Sequence, residues 1–169
     1  MDPKVFETER LALERLAAED APFILELVNE PDWLRFIGDR GVHDLAAARA
    51  YIEKGPQDMY ARLGFGLYKV SLKDGTPVGM CGLIKRDGLE DVDIGFAFLA
   101  RHRGRGYARE AAAATLEHAR ALGLQRLVAI TDPDNRPSMQ LLEKLGFVYR
   151  ETLRLPQHGG ESRLFALQL

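Results

Sequence analysis

Charge and leucine alternate along residues 9–16, "ERLALERL", and a period of two marks a strand with one face buried. The next stretch, "AEDAPFILELVNE" (18–30), changes period. Phe23, Ile24, Leu27 and Val28 fall at helical spacing behind an acidic first turn. "NEPDWLRFIGD" breaks that helix, and residues 44–63 resume a helical pattern interrupted around Gly55-Pro56. From Gly64 the period returns to two: "GFGLYKVSL" and "PVGMCGLIK" flank "KDGT", a hairpin signal. "DVDIGFAFL" (91–99) reads as a third strand. An alanine-rich segment then predicts a helix of about 15 residues, with Gly123 suited to the position just past its end. "RLVAIT" (126–131) is a short apolar strand. "DPDNRPSMQLLEKLGF" predicts a loop and then a helix with Pro137 in its first turn and Gly146 at its stop. "FVYRETLRL" and "SRLFALQL" close the chain as strands. The order β α α β β β α β α β β predicts an α+β fold in one domain, residues 1–169. Its mostly antiparallel sheet has about seven strands and about four flanking helices, and the strand–helix–strand unit after Leu99 adds one parallel pairing.

Composition narrows the classes. With 169 residues, 46% apolar and 28% charged, the chain is long enough for a real core, and a net charge of −2 gives no overall attraction to nucleic acid or an anionic membrane. No apolar run approaches the roughly 20 residues that span a bilayer. The N-terminus lacks a cationic start followed by an apolar stretch, so no secretory leader is expected. A lone cysteine, Cys81, has no internal disulfide partner, which fits a reducing, cytoplasmic setting. It lies in "VGMCGLI", where a buried inert thiol is a better reading than an acyl-carrying nucleophile. His43, His102, His118 and His158 show no metal-ligand spacing, so no metal is expected.

"RHRGRGYARE" (101–110) places Gly104 and Gly106 among arginines just before a helix. Helix N-termini expose unpaired N–H groups, and glycines let backbone wrap an anion closely. A dinucleotide-binding reading fails because Arg109 stands where a third small residue is needed and hairpins precede the motif. No P-loop run exists. "RGRGYA" (103–108) resembles the R/Q-x-x-G-x-G/A signature of the GNAT acetyltransferases. The signature can also be laid on Arg101, Gly104 and Gly106, but the preceding strand, in "DIGFAFLARHRGRGYAREA", sets it on Arg103, Gly106 and Ala108. The segment 132–147 resembles the family's second block: an Asn, a Ser three residues on, and a helix ending in Leu-Gly-Phe. The N-terminal third is similar to the RimJ/RimL-like branch, which acetylates N-termini of ribosomal proteins.

The resemblance implies an acetyl-CoA-dependent N-acetyltransferase. The N–H groups of Arg103, Gly104, Arg105, Gly106, Tyr107 and Ala108 would hold the CoA pyrophosphate. The pantetheine arm would pair with the strand edge near Phe98 and Leu99 and bond Asn135. Transfer to an amine needs a base, because an alkylammonium of pKa near 10 is not nucleophilic. Asp93 matches the place where relatives carry a carboxylate base; Asp91 and Glu161 stay open as alternatives. Relatives often use a Tyr to protonate the leaving thiolate, but Leu142 stands there, which leaves Ser138 for that role or for capping its own helix. Ala100 stands where relatives often have Pro. Residues 30–63, with Trp33, Phe36, Asp32 and Asp39, are expected to wall the acceptor pocket, where acidic groups would suit a cationic amine. The acceptor is a small-molecule amine or a protein N-terminus, and the chain a monomer or homodimer. The contrasting readings are a CoA-binding regulatory module without catalysis and a nucleic-acid binder using the 101–109 arginines.

Overall fold

The computed structural model describes residues 4–155 and 160–169; His158 lies outside the described residues. The chain opens with two antiparallel strands, β1 (Lys4–Glu7) and β2 (Leu11–Arg15). The alternating stretch is thus the second arm of a hairpin. Its turn closes through Thr8, whose N–H donates to the Leu11 carbonyl and whose hydroxyl accepts from the Leu11 N–H. Two short helices follow, α1 (Ala21–Leu27) and α2 (Pro31–Phe36). The expected break is real, since α1 stops at Leu27, and Pro31 then starts a helix of its own, because a proline at the first helical position gives up only an N–H that had no partner. The long helical pattern becomes α3 (Leu45–Ile52) and α4 (Asp58–Leu63), joined by a wide π-type turn over Glu53–Gln57. Pro56 cannot donate inside a helix, and the widened turn absorbs that loss without ending the run.

The strands β3 (Leu67–Leu72), β4 (Pro77–Ile84) and β5 (Asp93–Phe98) form the predicted meander. Helix α5 (Tyr107–Ala121) leads to β6 (Arg126–Thr131), and α6 (Arg136–Lys144) to β7 (Val148–Arg154) and β8 (Glu161–Gln168). Gly123 and Gly146 take the left-handed conformation just past α5 and α6, at φ +87° and +98°. The eight strands form one sheet in the order β1-β2-β3-β4-β5-β6-β8-β7, and every pairing is antiparallel except β5 with β6.

Alternation along β4 serves two cores. Cys81 and Leu83 face the layer with α5, while Met80 faces the layer with α1 and α3. Helix α5 can lie close to the sheet because its inward residues include Ala111, Ala112 and Ala119, all fully buried. The opposite layer packs Ile24, Leu27 and Ala48 against Leu99. No helix of the described residues is long and apolar enough to cross a membrane.

Candidate active site

The parallel pair opens almost as soon as it forms. Asp93 of β5 lies opposite Val128 of β6, the Val128 N–H donates to the Val92 carbonyl at 3.0 Å, and beyond this point the strands diverge. Strand β5 stays paired to β4 along its length, and β6 to β8. The splay therefore leaves one edge of each strand without a sheet partner, and such backbone groups call for an extended ligand. A cavity of about 490 Å³ fills the gap, within the usual range for small-ligand sites. Residues 94–97 line one side and 129–131 the other.

Asp93 sits at the vertex, fully buried and on the cavity wall. One carboxylate oxygen accepts from the Arg86 guanidinium; the other is buried without a partner among the described residues. Burial pushes its pKa up to about 6, and the Arg86 charge holds it from rising further. Asp91 is turned away, half-exposed and paired with Arg126 at 3.4 Å. Glu161 lines the cavity from β8 and is exposed, 3.8 Å from Arg154.

At the far end of β5 the chain enters the glycine loop. Gly104 and Gly106 have φ of +77° and +83°, and Gly106 directly precedes α5. Among the described residues, no acceptor takes the backbone N–H groups of Gly104 through Ala108. They form a run of free donors at the positive end of a four-turn helix, which is the physical basis of an anion site.

Two clamps hold this run. On one side Arg101 pairs with Glu26, Arg103 with Asp32, and the Ala100 N–H donates to Glu30 at 2.6 Å. A proline at position 100 has no N–H for that last bond. On the other side Arg10, at the β1–β2 turn, donates to Glu110 at 2.7 Å and to the Arg105 carbonyl at 2.9 Å, with its guanidinium over the Tyr107 ring. Thr8 completes this clamp by donating its hydroxyl to Glu110. Sequence reading missed Thr8 and Arg10, because nothing in the chain's order brings the first hairpin against residue 110.

The loop and the second block resemble an acetyltransferase site in one further respect: Asn135 and Ser138 line the same cavity as Asp93. A model of the acetyltransferase (GNAT) domain matches residues 10–148. The chain belongs to this family. It is similar to the uncharacterized N-acetyltransferase YnaD of Bacillus subtilis (strain 168), 28% identical over 141 residues that cover 82% of this chain and 79% of the relative. An acetyltransferase structure from Agrobacterium tumefaciens str. C58 superposes with a TM-score of 0.81 and 26% identity, covering 97% of this chain and 94% of that one. RimL, a ribosomal L7/L12 α-N-protein acetyltransferase solved with coenzyme A, shares the fold at a TM-score of 0.80, with 15% identity and 98% of each chain covered.

Within this GNAT acetyltransferase the expected site residues are distributed unevenly. The Asn135 side chain caps α6 by accepting from the Ser138 N–H at 3.3 Å, so its turn-forming role is real. The Ser138 hydroxyl makes no bond to its own helix among the described residues. Leu142 is fully buried against the cavity. Phe98 and Leu99 do not line the cavity. The Phe98 carbonyl is taken by the Arg103 guanidinium at 2.9 and 3.1 Å, and the Leu99 N–H by Val78 at 2.9 Å, so the strand edge on the cavity is Ile94–Ala97. Trp33 and Phe36 line the cavity. Asp32 and Asp39 do not: one is held by Arg103, the other by His43 and the Gly41 N–H. Cys81 is fully buried, bonded to the Thr115 hydroxyl at 3.3 Å, and burial pushes its thiol up to about 12. Among the described residues no cluster of His, Cys, Asp and Glu is arranged to hold a metal.

Proposed function

We propose that the protein transfers an acetyl group from acetyl-CoA directly to a primary amine, with both substrates bound at once. The observation that carries this reading is the coincidence of three features on one splayed strand. These are free N–H donors at one end, an unpaired edge in the middle, and a buried carboxyl at the vertex. The pyrophosphate lies on the N–H groups of Gly104 through Ala108, and Arg103 serves through its side chain on Phe98 and Asp32. The pantetheine arm runs along Ile94–Ala97 and reaches Asn135. Asp93 accepts the proton of the attacking ammonium. The nitrogen adds to the thioester carbonyl and the C–S bond breaks; the departing thiolate takes the Ser138 hydroxyl proton, which is replaced by the second proton shed by the acylated nitrogen. Donors from the β5 backbone polarise the carbonyl. Every group in this scheme belongs to one chain, so it operates in a monomer or a homodimer, in a single domain of cytoplasmic location.

The test pairs calorimetry with turnover. Saturable binding of acetyl-CoA, together with thiol release that depends on an added amine, is the expected result. Binding without release on any amine or N-terminal peptide points instead to a CoA-binding module. Absence of binding removes both.

A further inference from the structure

The cavity is electrically polarised from one wall to the other. Its sheet wall carries the acids Asp93, Asp132 and Glu161. Its helical wall carries none; it presents Arg35 and Arg40, and Arg86 reaches in beside Asp93. Among the described residues Arg35 and Arg40 have no carboxylate partner, and Arg35 is stacked over the Phe36 ring at 4.7 Å. The same wall holds further donors. Trp33 lines the cavity with its indole N–H buried and unpartnered among the described residues, and half-buried Tyr51 lines it as well. Burial pushes the Tyr51 phenol up, while the charges of Arg40 and Arg86 pull it back down. Arg40, Tyr51, Arg86 and Asp93 are therefore one continuous electrostatic neighbourhood.

A polyamine fits this arrangement poorly. A second cation that reaches the helical wall faces two exposed arginines with no carboxylate partner among the described residues, and like charges there repel. Resting on the acetyl-transfer reading above, we infer that the acceptor is a small amine that also carries an anionic group, a carboxylate or a phosphate. The amine meets Asp93 at the vertex. The anion meets Arg40 and Tyr51, with Arg35 and the Trp33 N–H completing a wall of donors. Arginine and phenol donors match the acceptor oxygens of either anion, and guanidinium forks suit both geometries.

Steady-state thiol release with four amines tests this: O-phosphoethanolamine, β-alanine, neutral ethanolamine and spermidine. The two anionic amines separate phosphate from carboxylate preference. The expected result is kcat/KM at least about tenfold higher for one or both of them than for ethanolamine, with spermidine poorest. Arg40→Gln lowers the anionic-to-neutral ratio about tenfold or more, and Arg40→Glu moves the preference toward spermidine. Arg49→Gln, which removes an exposed charge outside the cavity, leaves the ratio as it was. A wild-type preference for ethanolamine or spermidine overturns the inference and leaves acetyl transfer standing. So does an equal response of both ratios to Arg40→Gln and Arg49→Gln. If no amine turns over, calorimetry of O-phosphoethanolamine and β-alanine on the CoA-saturated protein decides. Arg40-dependent binding then supports the anion site while the transfer reading fails, and no binding overturns both.

Discussion

Replacing Asp93 by Asn is the most direct probe of the vertex. Burial raises this carboxyl from 3.8 to about 6. As a base it must be ionised, so the active fraction climbs from about one in eleven at pH 5 to about ten in eleven at pH 7, near a tenfold rise. The kcat/KM profile should therefore carry an ascending limb centred near pH 6. The acceptor amine contributes a second limb at its own pKa. Repeating the profile with an α-amino acceptor, whose pKa is about 8, moves that second limb and leaves the first in place. Asp93→Asn should remove the lower limb and cost on the order of 10²–10⁴ in kcat, the usual worth of a positioned base.

The same group leaves a thermodynamic trace. Its pKa is higher folded than unfolded, so between about pH 4 and 6 the native state holds the proton more tightly. Stability is then greatest below that window and declines as pH rises through it, by at most about 3 kcal/mol for a shift near two units. Thermal melts from pH 4 to 7 should show this slope in the wild type and lose it in Asp93→Asn. A variant that keeps kcat within about threefold of wild type, with both profiles rising only at the amine's pKa, refutes the assignment of Asp93 as base.

Three shorter predictions follow from the site. Gly106→Ala forces a left-handed conformation that costs roughly 1–2 kcal/mol and brings a Cβ to 3.2 Å from Arg10, so the acetyl-CoA dissociation constant measured by calorimetry should rise about tenfold. Ser138→Ala should lower kcat by about 10-fold or more while KM for acetyl-CoA holds, if the hydroxyl acts only on the leaving thiolate; a rise in KM alone assigns it to binding. Cys81 should resist alkylation at pH 8 in the native protein, judged by mass spectrometry, and Cys81→Ala should retain thiol release, because a thiol buried at a pKa near 12 is not a nucleophile at that pH.

Local order in the chain determined a good deal. Periods of two and 3.6 located most strands and helices, Gly123 and Gly146 marked two helix ends, and the glycines of 103–108 marked the left-handed loop that enters α5. These are short-range properties: a strand face, a helix cap or a left-handed turn is set by neighbours within a few residues. The sequence signal failed where two competing local rules met. The breaks at Pro31 and Gly55-Pro56 are real, yet the pattern did not show that Pro31 starts a helix of its own or that Pro56 rides in a widened turn.

What only the tertiary structure decided concerns partners far apart in the chain. Asp91 lies two residues before Asp93, just ahead of β5, but the splay buries Asp93 at the vertex and leaves Asp91 on Arg126. Asp32 read as a pocket acid until the fold brought it to Arg103, 71 residues away. That single pairing, with Asp39 turned to His43, strips the helical wall of carboxylates and leaves its arginines facing the cavity. A side chain's charge is written in the sequence. Whether that charge is neutralised, desolvated or left to meet a ligand depends on which distant group the fold sets beside it.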